Sequence, residues 1–336
     1  MFGIELTEFL LFARQLGIAM AGAAALWGFI FSQKDFHCGE DTKCVIYDWI
    51  AVRIMPLFLI GVGIGTVSYV GLLMTVEAAA HQGIAYLPST PEVAASFPIL
   101  TPLFFVLILA TLIAISLPNK GGEKYANWIT YFYGAMFVVC FAITSFPAWR
   151  GELDARQLFY AGHGFHSIFT VGSVIVLDYL YIMSTRAEIL KQHIFALFPT
   201  ISAVVWYGLA FDLLSSLLII EGFEPTTKLI FMQTVIGILI INGVFLSGPL
   251  ARQMLSSVEP DGKEVRGGWK LWANIAGAVS VVSWVTITFV DSFENLPFSY
   301  LEYFGIYIGV IILAIAGHSF MECMERRTEP PEFIHN

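Results

Sequence analysis

Charge is scarce in this chain. Only 13% of its 336 residues are Asp, Glu, Lys or Arg, where a soluble domain carries about 25%. No polar stretch is long enough to fold as a soluble domain of its own. The 17 Lys and Arg are scattered, with no polybasic block and no motif for reading bases, so nucleic acid is not an expected partner. Recognisable catalytic patterns are missing too: there is no HExxH, no Walker motif and no Ser-His-Asp set. The glycine-rich runs GVGIGTVSYVG (61–71) and AMAGAAALWG (19–28) have no strand before them, as a phosphate loop requires. They read as close helix packing.

Cysteine is equally sparse, at four residues. Cys38 and Cys44 lie in HCGEDTKC, whose spacing, with His37, matches no standard zinc pattern. The orientation derived below puts this segment in the cytoplasm, where a stable disulfide is not expected. A Cys38–Cys44 bridge would instead mean that the orientation is reversed. Cys140 and Cys323 fall within apolar runs and read as packing residues. No Lys or Arg precedes Arg14, so the basic start of a signal peptide is lacking and the first run is expected to stay as a helix.

What the chain does have is apolar length. Hydrophobic residues make up 57% and mean hydropathy is +0.75. Apolar runs of ~20 residues, enough to cross a bilayer, recur along nearly the whole sequence. A β-barrel would alternate with period two instead. The fold class expected is all-α: a polytopic transmembrane helical bundle of about nine spans with short loops. The spans run roughly over 6–32, 47–76, 97–117, 126–147, 157–184, 190–220, 226–254, 268–291 and 298–325. Residues 1–326 read as one membrane-embedded domain and 327–336 as a short cytoplasmic tail.

With nine spans the two termini lie on opposite sides. Of the 17 basic residues, Arg14, Arg150, Arg156 and Lys228 then fall on the N-terminal side and the other thirteen on the C-terminal side. The positive-inside bias places the C-terminus in the cytoplasm and the N-terminus outside. Compactness points to the inner membrane of a prokaryotic cell.

Ionisable groups within a span are costly and mark candidate sites. Counting residues in from the span edges, at ~1.5 Å each, puts Arg14, His163, His166, Asp212 and Gln233 in one layer near the outer face. Arg53, Asp178, Asn274 and His318 form a second set nearer the inside, with Glu322 one turn beyond His318. Opposite charges lower each other's desolvation cost, so Arg14 is expected to pair with Asp212, and Arg53 with Asp178 or Glu322. The plainer reading is that such groups tie helices together or snorkel to the surface.

Three functional classes fit, and the first leads because the small neighbours of the histidines in GHGFH leave room for a ring. In the first, the protein carries electrons through haem b: His163 or His166 in the glycine-flanked GHGFH ligates the iron, with His318 or a methionine opposite. His163 and His166 are one turn apart and cannot grip both faces of one haem. In the second, the protein is a transporter for a small solute or ion, or a proton-coupled channel, with the outer layer as its site. In the third it is a non-catalytic subunit or scaffold of a membrane complex. The lipid bilayer is the expected surrounding, and a quinone or other membrane subunits are candidate partners.

Overall fold

The computed structural model describes residues 6–36, 42–81, 90–116, 123–145, 162, 164–184, 200–211, 213, 226–256, 267–293 and 296–328. Every regular element among them is a helix, with no strand. In order these are α1 (Leu6–Phe36), α2 (Thr42–His81), α3 (Thr90–Ser116) and α4 (Glu123–Thr144). A π-helical segment, His166–Gly172, runs directly into α5 (Ser173–Ser184). Then come α6 (Thr200–Phe211) and α7 (Thr227–Phe245), a second π segment (Leu246–Leu250), α8 (Ala251–Ser256), α9 (Gly267–Ser292) and α10 (Tyr300–Thr328).

Six of these helices are long and apolar enough to cross a membrane: Leu6–Gln33, Ile50–Thr75, Ser96–Ser116, Thr227–Gln253, Leu271–Ser292 and Tyr300–Gly317. Three shorter apolar helices, Trp128–Thr144, His166–Leu177 and Thr200–Phe211, fall on the fourth, fifth and sixth runs of the sequence. Helices suit a bilayer because each satisfies its own backbone polar groups. The same constraint explains how Pro56, Pro98 and Pro102 can sit inside α2 and α3, since neighbouring helices can supply what a proline removes. Large apolar side chains are left uncovered along these helices, among them Val67, Phe105, Leu301 and Leu313, which are 65–79% exposed. Surface of that kind belongs against lipid.

The chain clusters into two compact units. The first comprises Met1–Glu224 with Ser292–Glu294, and the second Pro225–Asp291 with Asn295–Asn336.

The first unit is built around α1. Its buried residues are mostly small, including Ala19, Ala21 and Ala23–Ala25, with Trp27 and Phe31 on the next turns. Small residues let backbones approach, which is the main source of helix association in lipid. α2 lies closest. A Cβ added to Gly17 would stand 2.5 Å from the Gly65 nitrogen and 2.8 Å from the Gly61 oxygen. The glycine runs of the sequence therefore act as a packing seam. Tyrosines then bolt other helices to α2. The Tyr133 hydroxyl of α4 donates to the Ala51 carbonyl at 2.7 Å, and that of Tyr179 in α5 donates to the Arg53 carbonyl at 2.8 Å.

The second unit contains α7, α9 and α10. The Asn242 side chain donates to the Ala276 carbonyl at 2.8 Å, and Ser283 shares a hydrogen bond with Tyr307 at 2.7 Å. Phe231 stacks on Tyr303 with ring centres 5.0 Å apart. α10 opens on a capping box: the Glu302 carboxylate accepts from both the backbone nitrogen and the hydroxyl of Ser299, filling a donor that a helix start leaves open.

Candidate functional site

The π segment is where the first unit departs from regular helix. In an α-helix the Thr170 N–H would bond the His166 carbonyl. Here the Thr170 hydroxyl donates to that carbonyl, as threonine hydroxyls also do within the regular helices. π turns are frequent at functional positions. The segment's far end is fixed by Gly172, where an added Cβ would collide with the Ala19 carbonyl and the Ala23 side chain of α1. Only a glycine lets α1 and this segment meet at that point.

His166 opens the segment and is only 3% exposed. The next residue, Ser167, accepts a hydrogen bond from the Gln15 side-chain amide of α1 at 3.3 Å. The Gln15 carbonyl oxygen in turn accepts from Ser292 at 3.4 Å. Two turns along the segment, the Trp27 indole donates to Ser173 at 2.9 Å. Ser167, Thr170 and Ser173 are all buried. Two side-chain hydrogen bonds, Gln15–Ser167 and Trp27–Ser173, thus join α1 to the π segment and to the helix it runs into, and the segment opens on a buried imidazole.

Arg14, the neighbour of Gln15, is half-buried on α1. The register of α1 on α2 sets it opposite the stretch of α2 that holds Tyr69. Tyr69 shares a 2.6 Å hydrogen bond with Thr101 of α3 and stacks on Phe104 with ring centres 4.2 Å apart. Among the described residues, the Arg14 side chain forms no ion pair or hydrogen bond. One turn from Tyr69, the buried Thr66 hydroxyl has no hydrogen-bond partner among them either.

The residues singled out by sequence distribute as follows. Arg14 and His166 belong to the same unit, and the Gln15–Ser167 bond brings their immediate neighbours together. His163 and Asp212 lie outside the described residues, so the Arg14–Asp212 pair does too. Gln233 is exposed on α7 and Asn274 half-buried on α9, both in the second unit. Arg53 is exposed, as snorkelling would have it. Asp178 lies on α5 beside Tyr179, whose hydroxyl reaches the Arg53 carbonyl; the Asp178 side chain itself is outside the described set. His318 and Glu322 lie on α10, their side chains likewise outside it. Cys140 is a buried free thiol. Cys38 lies outside the described residues, as do the side chains of Cys44 and Cys323.

No protein-family model, curated protein or solved structure matches the chain.

Two features bear on a bound group. Among the described residues, no cluster of three or more His, Cys, Asp or Glu could hold a metal ion. The space beside Gly164, in the GHGFH run, is taken by Ser145: an added Cβ would stand 3.0 Å from the Ser145 Cβ. That glycine serves the approach of Ser145, the residue that follows α4. Gln15, Ser167 and Trp27 were not legible as site residues. Their partners are 146–152 positions away, and no local pattern announces them.

Proposed function

We propose that this chain is a multi-pass integral membrane protein of about nine spans that moves a small solute or ion, coupled to protons. The layer of Arg14, Gln15, His166 and Ser167 is its site. The observation that supports this reading is the Gln15–Ser167 hydrogen bond, which joins the chain neighbours of an arginine and a buried histidine inside an otherwise apolar unit. Polar and ionisable groups held at membrane depth mark ion pathways and proton relays. Histidine titrates near neutral pH and can pass a proton on. In this reading Gln15 and the hydroxyls guide the path, and His166 takes and releases the proton. The protein sits in the inner membrane of a cell with its N-terminus outside and its C-terminus in the cytoplasm.

The test is proton flux in proteoliposomes carrying a trapped pH-sensitive dye. Wild-type protein should dissipate an imposed pH gradient, alone or with a co-transported solute. Gln15→Leu and His166→Ala should each lower the rate by at least tenfold, the scale of one lost polar contact of ~1.4 kcal/mol. Unchanged flux in both variants would rule out this layer as the path.

A second reading keeps haem b electron transfer, with His166 as ligand and His163, His318 or a methionine completing the coordination. It rests on the burial of the His166 imidazole, which suits an axial ligand. A quinone or another membrane subunit would be the electron partner. An absorption spectrum of protein expressed with haem, oxidised and then reduced with dithionite, decides it. A flat spectrum removes this reading.

A further inference from the structure

We propose that Arg14, Tyr69, Thr101 and Thr66 form a site for an oxyanion, a carboxylate or a phosphate, along the α1–α2 seam where Tyr69 reaches α3. This rests on the transport reading above and names its substrate class.

The register of α1 on α2 places the site. A Cβ on Gly17 would meet Gly61 and Gly65, and one on Gly71 would come within 3.0 Å of the Leu10 side chain. The helices therefore run antiparallel, with Leu10–Gly17 of α1 opposite residues 65–71 of α2. Arg14 falls inside the first stretch, and Thr66 and Tyr69 inside the second. Thr66 and Tyr69 are three residues apart and so share a helix side. Tyr69 brings in α3 through its bond to Thr101.

The chemistry of this group is one-sided. Arg14 brings a permanent positive charge with five donors in a planar fork, which matches carboxylate and phosphate oxygens. The facing stretch of α2 adds the Tyr69 hydroxyl, bonded to that of Thr101, and the Thr66 hydroxyl, which has no partner among the described residues. A guanidinium held in an apolar unit needs a counter-charge. Among the described residues none is paired with it. A bound anion supplies both the charge and the acceptors.

A free solute and a lipid headgroup offer the same oxyanion. They are separated by probe. The full chain, delipidated in a non-ionic detergent, is titrated with radiolabelled acetate, with radiolabelled inorganic phosphate and with phosphatidylglycerol. Saturable binding of acetate or phosphate identifies a solute site, and binding of phosphatidylglycerol alone identifies a headgroup site. Either supports the proposal provided that Arg14→Gln weakens it by at least about tenfold, the scale of one charge-assisted contact. Arg14→Lys keeps the charge and guards against a folding artefact: it should bind more weakly than wild type and more tightly than Arg14→Gln. Tyr69→Phe should weaken binding several-fold.

No binding by any probe overturns the proposal, as does equal binding by wild type and Arg14→Gln. Asp212→Asn should bind like wild type. If it instead binds at least about tenfold more tightly, Asp212 is the counter-ion and the proposal fails. Flux is read separately. Proton flux with no anion response leaves the transport reading standing and removes this site. An anion response without flux does the reverse.

Discussion

The Trp27 indole of α1 donates to the Ser173 hydroxyl of α5 at 2.9 Å, across 146 positions of sequence, and both residues are fully buried. It is one of the few directed contacts in a unit otherwise held by shape. Ser173 also donates to the Ile168 carbonyl at 3.4 Å, so the pair clamps the end of the π segment against α1.

Breaking that clamp should be measurable. Trp27→Phe keeps most of the volume and removes the donor. Ser173→Ala leaves the indole N–H buried with no acceptor. Each should cost about 1–3 kcal/mol, the penalty of a buried group left unpaired. The double variant should cost less than the sum, because removing both partners removes the penalty. Unfolding in mixed micelles titrated with a denaturing detergent would give these values. Strictly additive costs would show that the bond carries no coupling.

The glycines of α1 and α2 should not be equivalent. A Cβ at Gly17 meets backbone atoms of Gly61 and Gly65, which cannot swing aside, whereas at Gly63 it meets nothing within 4 Å. Gly17→Val should therefore cost 1–3 kcal/mol or more by overpacking, and show as a loss of monodisperse protein on size exclusion. Gly63→Ala should stay within about 0.5 kcal/mol of wild type. Similar behaviour of the two variants would mean that the seam is not where the helices meet.

How much of this was readable beforehand follows from what each signal encodes. Six spanning helices were legible because apolar length is a local property. The seam was legible where Gly61 meets Ala21, because small residues clustered on neighbouring turns have few other uses in lipid; Gly17 lies outside both glycine-rich runs. Arg14 and His166 were placed by counting residues, and the Gln15–Ser167 bond joins their neighbours. Counting residues gives height along a helix but not the direction a side chain faces, and Gln233, placed by height alone, is exposed. The π segment was not legible, because the contact of Gly172 with α1 at its far end is a tertiary fact. The sixth run contains the apolar helix Thr200–Phe211.

In the second unit, Tyr307 tests whether polar contacts matter as much as stacking. Its hydroxyl shares a 2.7 Å bond with Ser283, and its ring lies edge-on to Phe231 at 6.1 Å. Tyr307→Phe removes only the first and should cost ~1 kcal/mol, as is usual for hydrogen bonds between membrane helices. Tyr307→Ala removes both and opens a cavity, at about 3–5 kcal/mol. The same micelle titration would resolve the difference. Equal losses would assign the whole effect to the hydroxyl.

The orientation makes the last prediction. With nine spans, thirteen of the 17 basic residues would fall on one side, and basic residues are retained on the cytoplasmic side during insertion. A green fluorescent protein fused after Asn336 should therefore fluoresce in a bacterial host, because it folds in the cytoplasm and not when exported through the general secretory route. Alkaline phosphatase at the same position should be inactive, since its disulfides form only outside the cytoplasm. The same logic applies to Cys38 and Cys44: in this orientation both should react with a membrane-permeant maleimide and neither with an impermeant one on intact cells. The opposite pair of fusion results, with a Cys38–Cys44 disulfide, would reverse the topology. It would also move the layer holding Arg14 and His166 from the outer to the inner half of the membrane. The positive charge of Arg14 would then lie within reach of cytoplasmic anions, so the fusion result fixes the side from which the oxyanion titrations should be run in sealed vesicles.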